Sequence, residues 1–303
     1  TVLIAYAVYA VGSAACVLAP TWTLFLAARG LQGMANAFTT PLLMVALAGV
    51  TEPRRLGRAL GWFGSLQGAG QTSAPLVGGL AAEVDWRLAF GGVAVVAVLL
   101  AVVGVPAGRP AATAAERPRL HTALRPEVLR MGLVVALGWG WVSGLGFLVA
   151  LRLDEEFGLA PGPRGLVLTG LGVAGLLGAP LIGRGVDRIG PRRTVLLGAG
   201  LGALVLVGVG LAPSVVAIAL IWTVGGLASQ LVLVGTNAMV LGGGRENAGG
   251  ATSVVHALRF GGQSVAPVAF TPVYHADPLL AFLVPAALLA AGIQLALPRG
   301  PDP

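Results

Sequence analysis

A chain of 303 residues that is 56% hydrophobic and only 10% charged, with a mean hydropathy of +0.88, lies far outside the balance of a soluble domain, in which about a quarter of residues are charged. All of its basic residues are arginine, and the net charge of +7 is carried in short segments between long apolar runs, where it orients a chain in a bilayer instead of binding nucleic acid. The lone Cys16 excludes an intrachain disulfide and a cysteine metal cluster; three scattered histidines, with no HExxH, GxSxG, Walker or Asp-rich diphosphate sequence, argue against an enzyme and a metal centre.

The apolar runs reach roughly 20 residues, enough to cross a hydrocarbon core of about 30 Å, and runs of that length cross as helices. Read against Pro, Gly and charge breaks, they predict an all-α integral membrane protein with ten transmembrane helices, at 1–19, 22–49, 56–82, 87–106, 128–151, 164–183, 194–212, 214–241, 249–273 and 278–297. The polar stretch 107–127 is read as a linker between a bundle at 1–106 and a bundle at 128–297, and 298–303 as a tail.

One set of inter-span segments holds Arg54, Arg55, Arg58, Arg109, Arg117, Arg119, Arg125, Arg130, Arg184, Arg188, Arg192, Arg193, Arg245 and Arg299; the other holds only Arg87, Arg152 and Arg164. The positive-inside rule then puts loops 51–57, 107–127, 184–193 and 242–248 and the C-terminus in the cytoplasm of a cell whose plasma (inner) membrane the chain spans many times. All twelve acids fall in loops or at span ends.

The chain also repeats. Displaced by 193 residues, Thr1-Val2-Leu3 meets Thr194-Val195-Leu196, Leu18-Ala19-Pro20 meets Leu211-Ala212-Pro213 and Gly33 meets Gly226; displaced by 192, Gly70-Gln71 and Ala74-Pro75 meet Gly262-Gln263 and Ala266-Pro267. Spans one to four thus pair with spans seven to ten in two pseudo-symmetric bundles. Spans five and six have no counterpart, which predicts two further helices ahead of Thr1.

Three motifs point to a family. The stretch "GRGVDRIGPRR" resembles the loop signature of the major facilitator superfamily, Gly-x-Leu-x-Asp-Arg-x-Gly-basic-basic: Gly183, Asp187, Arg188, Gly190, Arg192 and Arg193 fit, and Gly185 replaces the leucine. "GQTSAPLVGG" is similar to the fifth-helix motif of that superfamily's drug/proton antiporters, with Gly70, Ala74, Pro75, Gly78 and Gly79 in place. Gly70, Ala74 and Gly78 form a smooth stripe suited to close helix packing. "RGLQGMANA" is similar to the fourth-helix motif, whose arginine, here Arg29, has a role in proton coupling. Arg29 stands about 10 Å inside its span, where it either serves a functional site or snorkels outward.

The resemblance implies ten of the twelve helices of that fold, rocking about a central site that opens to each side in turn. It implies a monomeric secondary transporter that exports drug-like or amphipathic small molecules by proton antiport, with the proton gradient as its energy source and no cofactor. Helix positions of the family make Gln32, Asn36, Thr40, Trp139, Trp141, Gln230 and Asn237 candidates to line the substrate cavity, with interhelical hydrogen bonding the alternative for the amides. Trp139 and Trp141, two residues apart on a helix, point to different sides, so one of them is expected to face lipid or a neighbouring helix. Rival readings are a metabolite or sugar exporter of the same superfamily, an inactive transporter fragment, and a ten-helix drug/metabolite transporter, whose repeats would lie about 150 residues apart.

Overall fold

The structure, a computed structural model, describes residues 2–52, 55–104, 124–242 and 248–297. The chain separates into two compact units, Thr1–Ala114 and Ala115–Pro303. The first holds α1 (Val2–Leu18), α2 (Trp22–Val50), α3 (Leu56–Ala82) and α4 (Arg87–Val103). The second holds α5 (Pro126–Glu155), α6 (Pro161–Ile189), α7 (Pro191–Leu211), α8 (Val215–Gly242), α9 (Ala248–Ala276) and α10 (Leu280–Ala296). Among the described residues, α5, α6, α7 and α8 are long and apolar enough to cross a membrane on length and composition alone. The 17-residue α1, α4 and α10 rise about 25 Å, the short end of a span.

The repeat has a structural counterpart. In the first unit α1 packs on α2 and α4, with lighter contacts from α3 to α4 and α2; in the second, α7 packs on α8 and α10, with lighter contacts from α9 to α10 and α8. The helix starts match as well. Thr21 accepts a hydrogen bond from the Leu24 amide at 3.3 Å to begin α2, and Ser214 accepts one from the Ala217 amide at 3.3 Å to begin α8. Asp85 caps the approach to α4 through the Arg87 amide (2.9 Å), and Asp277 caps α10 through the amides of Leu279 and Leu280 (2.8 and 3.1 Å). The second unit adds α5 against α9 and α6 against α8. Its core is made by Trp222, Tyr274, Phe282, Leu145, Leu148, Leu206 and Leu289, all nearly or fully inaccessible.

Two expected boundaries are corrected. The stretch 184–193 is not a loop: α6 continues to Ile189, Gly190 alone joins it to α7, and Pro191 occupies the first turn of α7. Arginines and an aspartate do not end a helix, whereas a glycine followed by proline does. Gly190 has φ 82° and ψ 153°, a region open essentially to glycine alone. A Cβ there would meet nothing within 4 Å, so Gly190→Ala is expected to cost about 1–3 kcal/mol purely in backbone conformation. Thermal unfolding of the purified variant measures this, and Gly190→Asn should not rescue it.

The fifth span does not stop at 151 but runs to Glu155, past Arg152. That side chain is 8% exposed and reaches the C-terminal end of α7, donating to the carbonyls of Val209 and of Ala212 (3.2 Å) while its Nε meets Glu156 at 2.8 Å. It therefore adds side-chain donors to the carbonyls at the end of α7, where the Val209 carbonyl also accepts from the Ala212 amide at 3.4 Å. Arg152→Ala removes all three of these contacts, among them the buried bond to the Ala212 carbonyl, and is expected to lower stability by about 2–3 kcal/mol. Arg152→Lys, unable to span both carbonyls and the carboxylate, should recover less than half of that loss in the same unfolding assay. Of the other expected cytoplasmic segments, Pro126 and Glu127 already belong to α5 and Leu56 and Gly57 to α3, while residues 53–54, 105–123, 243–247 and 298–303 lie outside the described residues.

Candidate functional site

The junction of α1 and α2 holds a chain of polar contacts. Gln32 is 3% exposed and Ser13 fully buried; the Gln32 amide donates to Ser13 Oγ at 2.7 Å, and Ser13 in turn donates to the Tyr9 carbonyl at 2.7 Å. Arg29, one turn before Gln32 on α2, donates to Gln32 Oε1. Its guanidinium also lies 5.4 Å from the Phe90 ring centroid on α4. Phe90 belongs to an edge-to-face aromatic cluster with Phe25 and Trp86, which Trp22 extends, at the starts of α2 and α4. Aromatic rings gathered at helix ends suit a membrane interface. Arg29 itself is exposed on the surface of its unit.

The repeat shows that this polar chain is not needed to close the junction. Ser13, Arg29 and Gln32 correspond to Leu206, Trp222 and Gly225 in the second unit, where Leu206 and Trp222 are buried in the apolar core. An apolar junction avoids the cost of burying amide and hydroxyl groups, and the same helix pair can be built either way. The two halves thus close the same helix pair with polar side chains in one and apolar side chains in the other.

The fifth-helix motif lies on α3, which continues unbroken through Pro75. A Cβ added to its stripe at Gly70 or Gly78 would meet nothing within 4 Å among the described residues. Its counterpart in the second unit is occupied: Gly262 approaches the Ala136 backbone of α5, Ala266 is fully buried, and Phe270 receives the edge of Trp141 at 5.3 Å. In the loop signature, Gly183 is open, Asp187, Arg188 and Arg193 are exposed and Arg192 is half-buried with its Nε unpartnered. Asp187 makes no ion pair among the described residues.

The expected cavity residues separate. Gln32 is tied into the α1–α2 chain, Asn36 is exposed, and the side chain of Thr40 lies outside the described residues. Gln230 is half-buried against Gly175 of α6, and Asn237 is half-buried on α8. Both tryptophans turn toward α9: Trp139 stacks on Arg259 at 4.4 Å and Trp141 meets Phe270. They lie within or at the end of a π-helical turn, Ala136–Trp141, whose wider winding shifts the phase assumed for an α-helix. Ser13 carries no signal in the sequence until Gln32 is placed opposite it; Arg259 is visible only as a charge deep in an apolar run.

Two all-helical units sharing a duplicated four-helix pattern, with helices long and apolar enough to cross a bilayer, define a polytopic membrane protein. The family model for the Major Facilitator Superfamily matches residues 1–267, and the chain belongs to that superfamily. It is 33% identical over 109 residues to the Multidrug resistance protein B homolog of Mycobacterium tuberculosis, a stretch covering 35% of this chain and 20% of that protein. It is 30% identical over 162 residues to the Tetracenomycin C resistance and export protein of Streptomyces glaucescens, covering 50% of this chain and 30% of that one. The chain thus spans less than a third of the length of these curated relatives. A crystal structure of a bacterial homologue of the human lysosomal transporter Spinster, inward-facing and unoccupied, superposes with a TM-score of 0.71 at 14% identity, over 98% of this chain and 78% of that one.

Proposed function

We propose that the protein is a secondary exporter of drug-like or amphipathic small molecules, working by alternating access and driven by proton antiport. The observation that carries this is the Ser13–Gln32–Arg29 chain, a charged and hydrogen-bonded array kept at a helix junction that the duplicate half builds from apolar residues. Charge within a membrane helix is costly unless it works there. Likeness to the multidrug resistance protein of Mycobacterium and the tetracenomycin C export protein of Streptomyces supports outward transport and this substrate class. The Arg29 motif supports proton coupling by its likeness to the superfamily's antiporters. We place the protein, as a monomer, in the inner membrane of a bacterium with its arginine-rich ends in the cytoplasm.

Expression from its own gene in a bacterial host lacking its major exporters tests this reading. Cells should accumulate less ethidium than cells carrying the empty vector, and a protonophore should abolish the difference. Equal accumulation with and without the protein contradicts export.

A further inference from the structure

Arg259 lies about 16 Å along α9, eleven residues from its start, and is 8% exposed. Its guanidinium sits 4.4 Å from the ring centroids of both Trp139 and Phe260, and its Nε is buried without a hydrogen-bond partner. Among the described residues no carboxylate pairs with it: α9 contains no acid, and α5 has none between Glu127 and Asp154. The only other titratable group beside it on α9, His256, stands one turn away and adds no negative charge.

Arg152, the other buried arginine among the described residues of this unit, is neutralised by Glu156 and two carbonyls; half-buried Arg164 pairs with Asp154 at 2.7 Å, and half-buried Arg192 also has an unpartnered Nε. The Arg259 guanidinium meets aromatic faces, which attract a cation but do not return what it loses by leaving water without a counter-charge. The arrangement around it is built closely. A Cβ at Gly140 would lie 2.7 Å from the Arg259 carbonyl oxygen, and one at Gly262 would lie 2.5 Å from the Ala136 carbonyl oxygen, so the backbones of α5 and α9 are in contact. That contact falls on the π-helical turn, and it sets the Trp139 ring over the guanidinium. π-Turns recur at functional sites. Phe260 is 48% exposed and Trp139 only part-buried, so the stack reaches the surface of the unit.

We propose that Arg259 and Trp139 form a binding site for the anionic group of an amphipathic substrate, the guanidinium taking a carboxylate or sulfonate and the indole taking the adjoining apolar or aromatic body. This deepens the export reading and rests on it for the word substrate, but the binding stands on the second unit alone.

The test uses the purified full-length protein in lipid nanodiscs, titrated with the anionic dye fluorescein and the cationic dye rhodamine 6G. The wild type is expected to bind fluorescein at least tenfold more tightly than rhodamine 6G. Arg259→Gln should lose at least tenfold on fluorescein with rhodamine 6G unchanged, while Arg259→Lys, which keeps the charge and guards against a folding failure, should retain an intermediate affinity. Equal binding of fluorescein by wild type and Arg259→Gln overturns the proposal, as does loss of both dyes together in Arg259→Gln and Arg259→Lys alike. Vesicle transport of the same dyes separates the two claims. Fluorescein bound but not moved would sink the export reading and leave the anion site, whereas rhodamine 6G moved with no fluorescein binding would do the reverse.

Discussion

Gly226→Ala is expected to destabilise the second unit by at least about 3 kcal/mol, the upper range for overpacking a well-filled core. A Cβ at this position of α8 would run into the Leu171 carbonyl oxygen of α6 and lie 2.8 Å from the Gly175 amide nitrogen. Both obstacles are backbone, so no side chain can turn aside and the helices themselves must part. Gly175 and Gly226 bring the backbones of α6 and α8 close together, in the way small residues permit in membrane bundles. Gly200 on α7 provides the control. A Cβ there would meet nothing within 4 Å, and Gly200→Ala should change stability by no more than about 0.5 kcal/mol. Thermal unfolding in detergent, followed by loss of the monodisperse peak, measures both. Equal effects at the two positions would mean that the α6–α8 contact is not as described.

The second expectation concerns the polar chain of the first unit. Arg29→Ala should reduce transport at least about tenfold, equivalent to about 1.4 kcal/mol, with little effect on stability because Arg29 is exposed and pairs only with Gln32 and the Phe90 ring. A sharper variant copies the duplicate: Ser13→Leu, Arg29→Trp and Gln32→Gly together give the α1–α2 junction the residues found at the α7–α8 junction. This variant should fold, since the second unit closes the same helix pair with Leu206, Trp222 and Gly225, and it should not transport. Measured as substrate flux against unfolding temperature, a variant that loses both together would make the chain a structural element. One that keeps transport would remove it from the mechanism.

Much of this architecture is legible in the sequence because it is written in hydrophobic length and in breaks. Thr21 and Ser214, or Asp85 and Asp277, stand before apolar runs at matching places in the repeat, and they cap the helices that such residues cap. What misleads is charge. Arg184, Asp187 and Arg188 look like a loop, yet a helix leaving the membrane continues until its backbone is stopped, here by Gly190 and Pro191. The candidate site was legible only in part. Arg29 and Gln32 stand out in a motif, but their partner Ser13 is one hydroxyl in an apolar run. The meeting of Arg259 with Trp139 depends on a π-turn that no residue pattern announces. Gly200 and Gly226 also look alike in the sequence, and only packing shows that one is open and the other essential to the approach of two helices.

The central claim, export driven by a proton gradient through the Arg29 chain, is tested most directly in everted membrane vesicles containing the protein expressed from its own gene. With the vesicle interior made acidic, wild type should accumulate ethidium, nigericin should discharge it, and Arg29→Ala vesicles with equal protein content should accumulate at least about tenfold less. Accumulation that persists after the gradient is collapsed, or that Arg29→Ala leaves unchanged, would contradict the account.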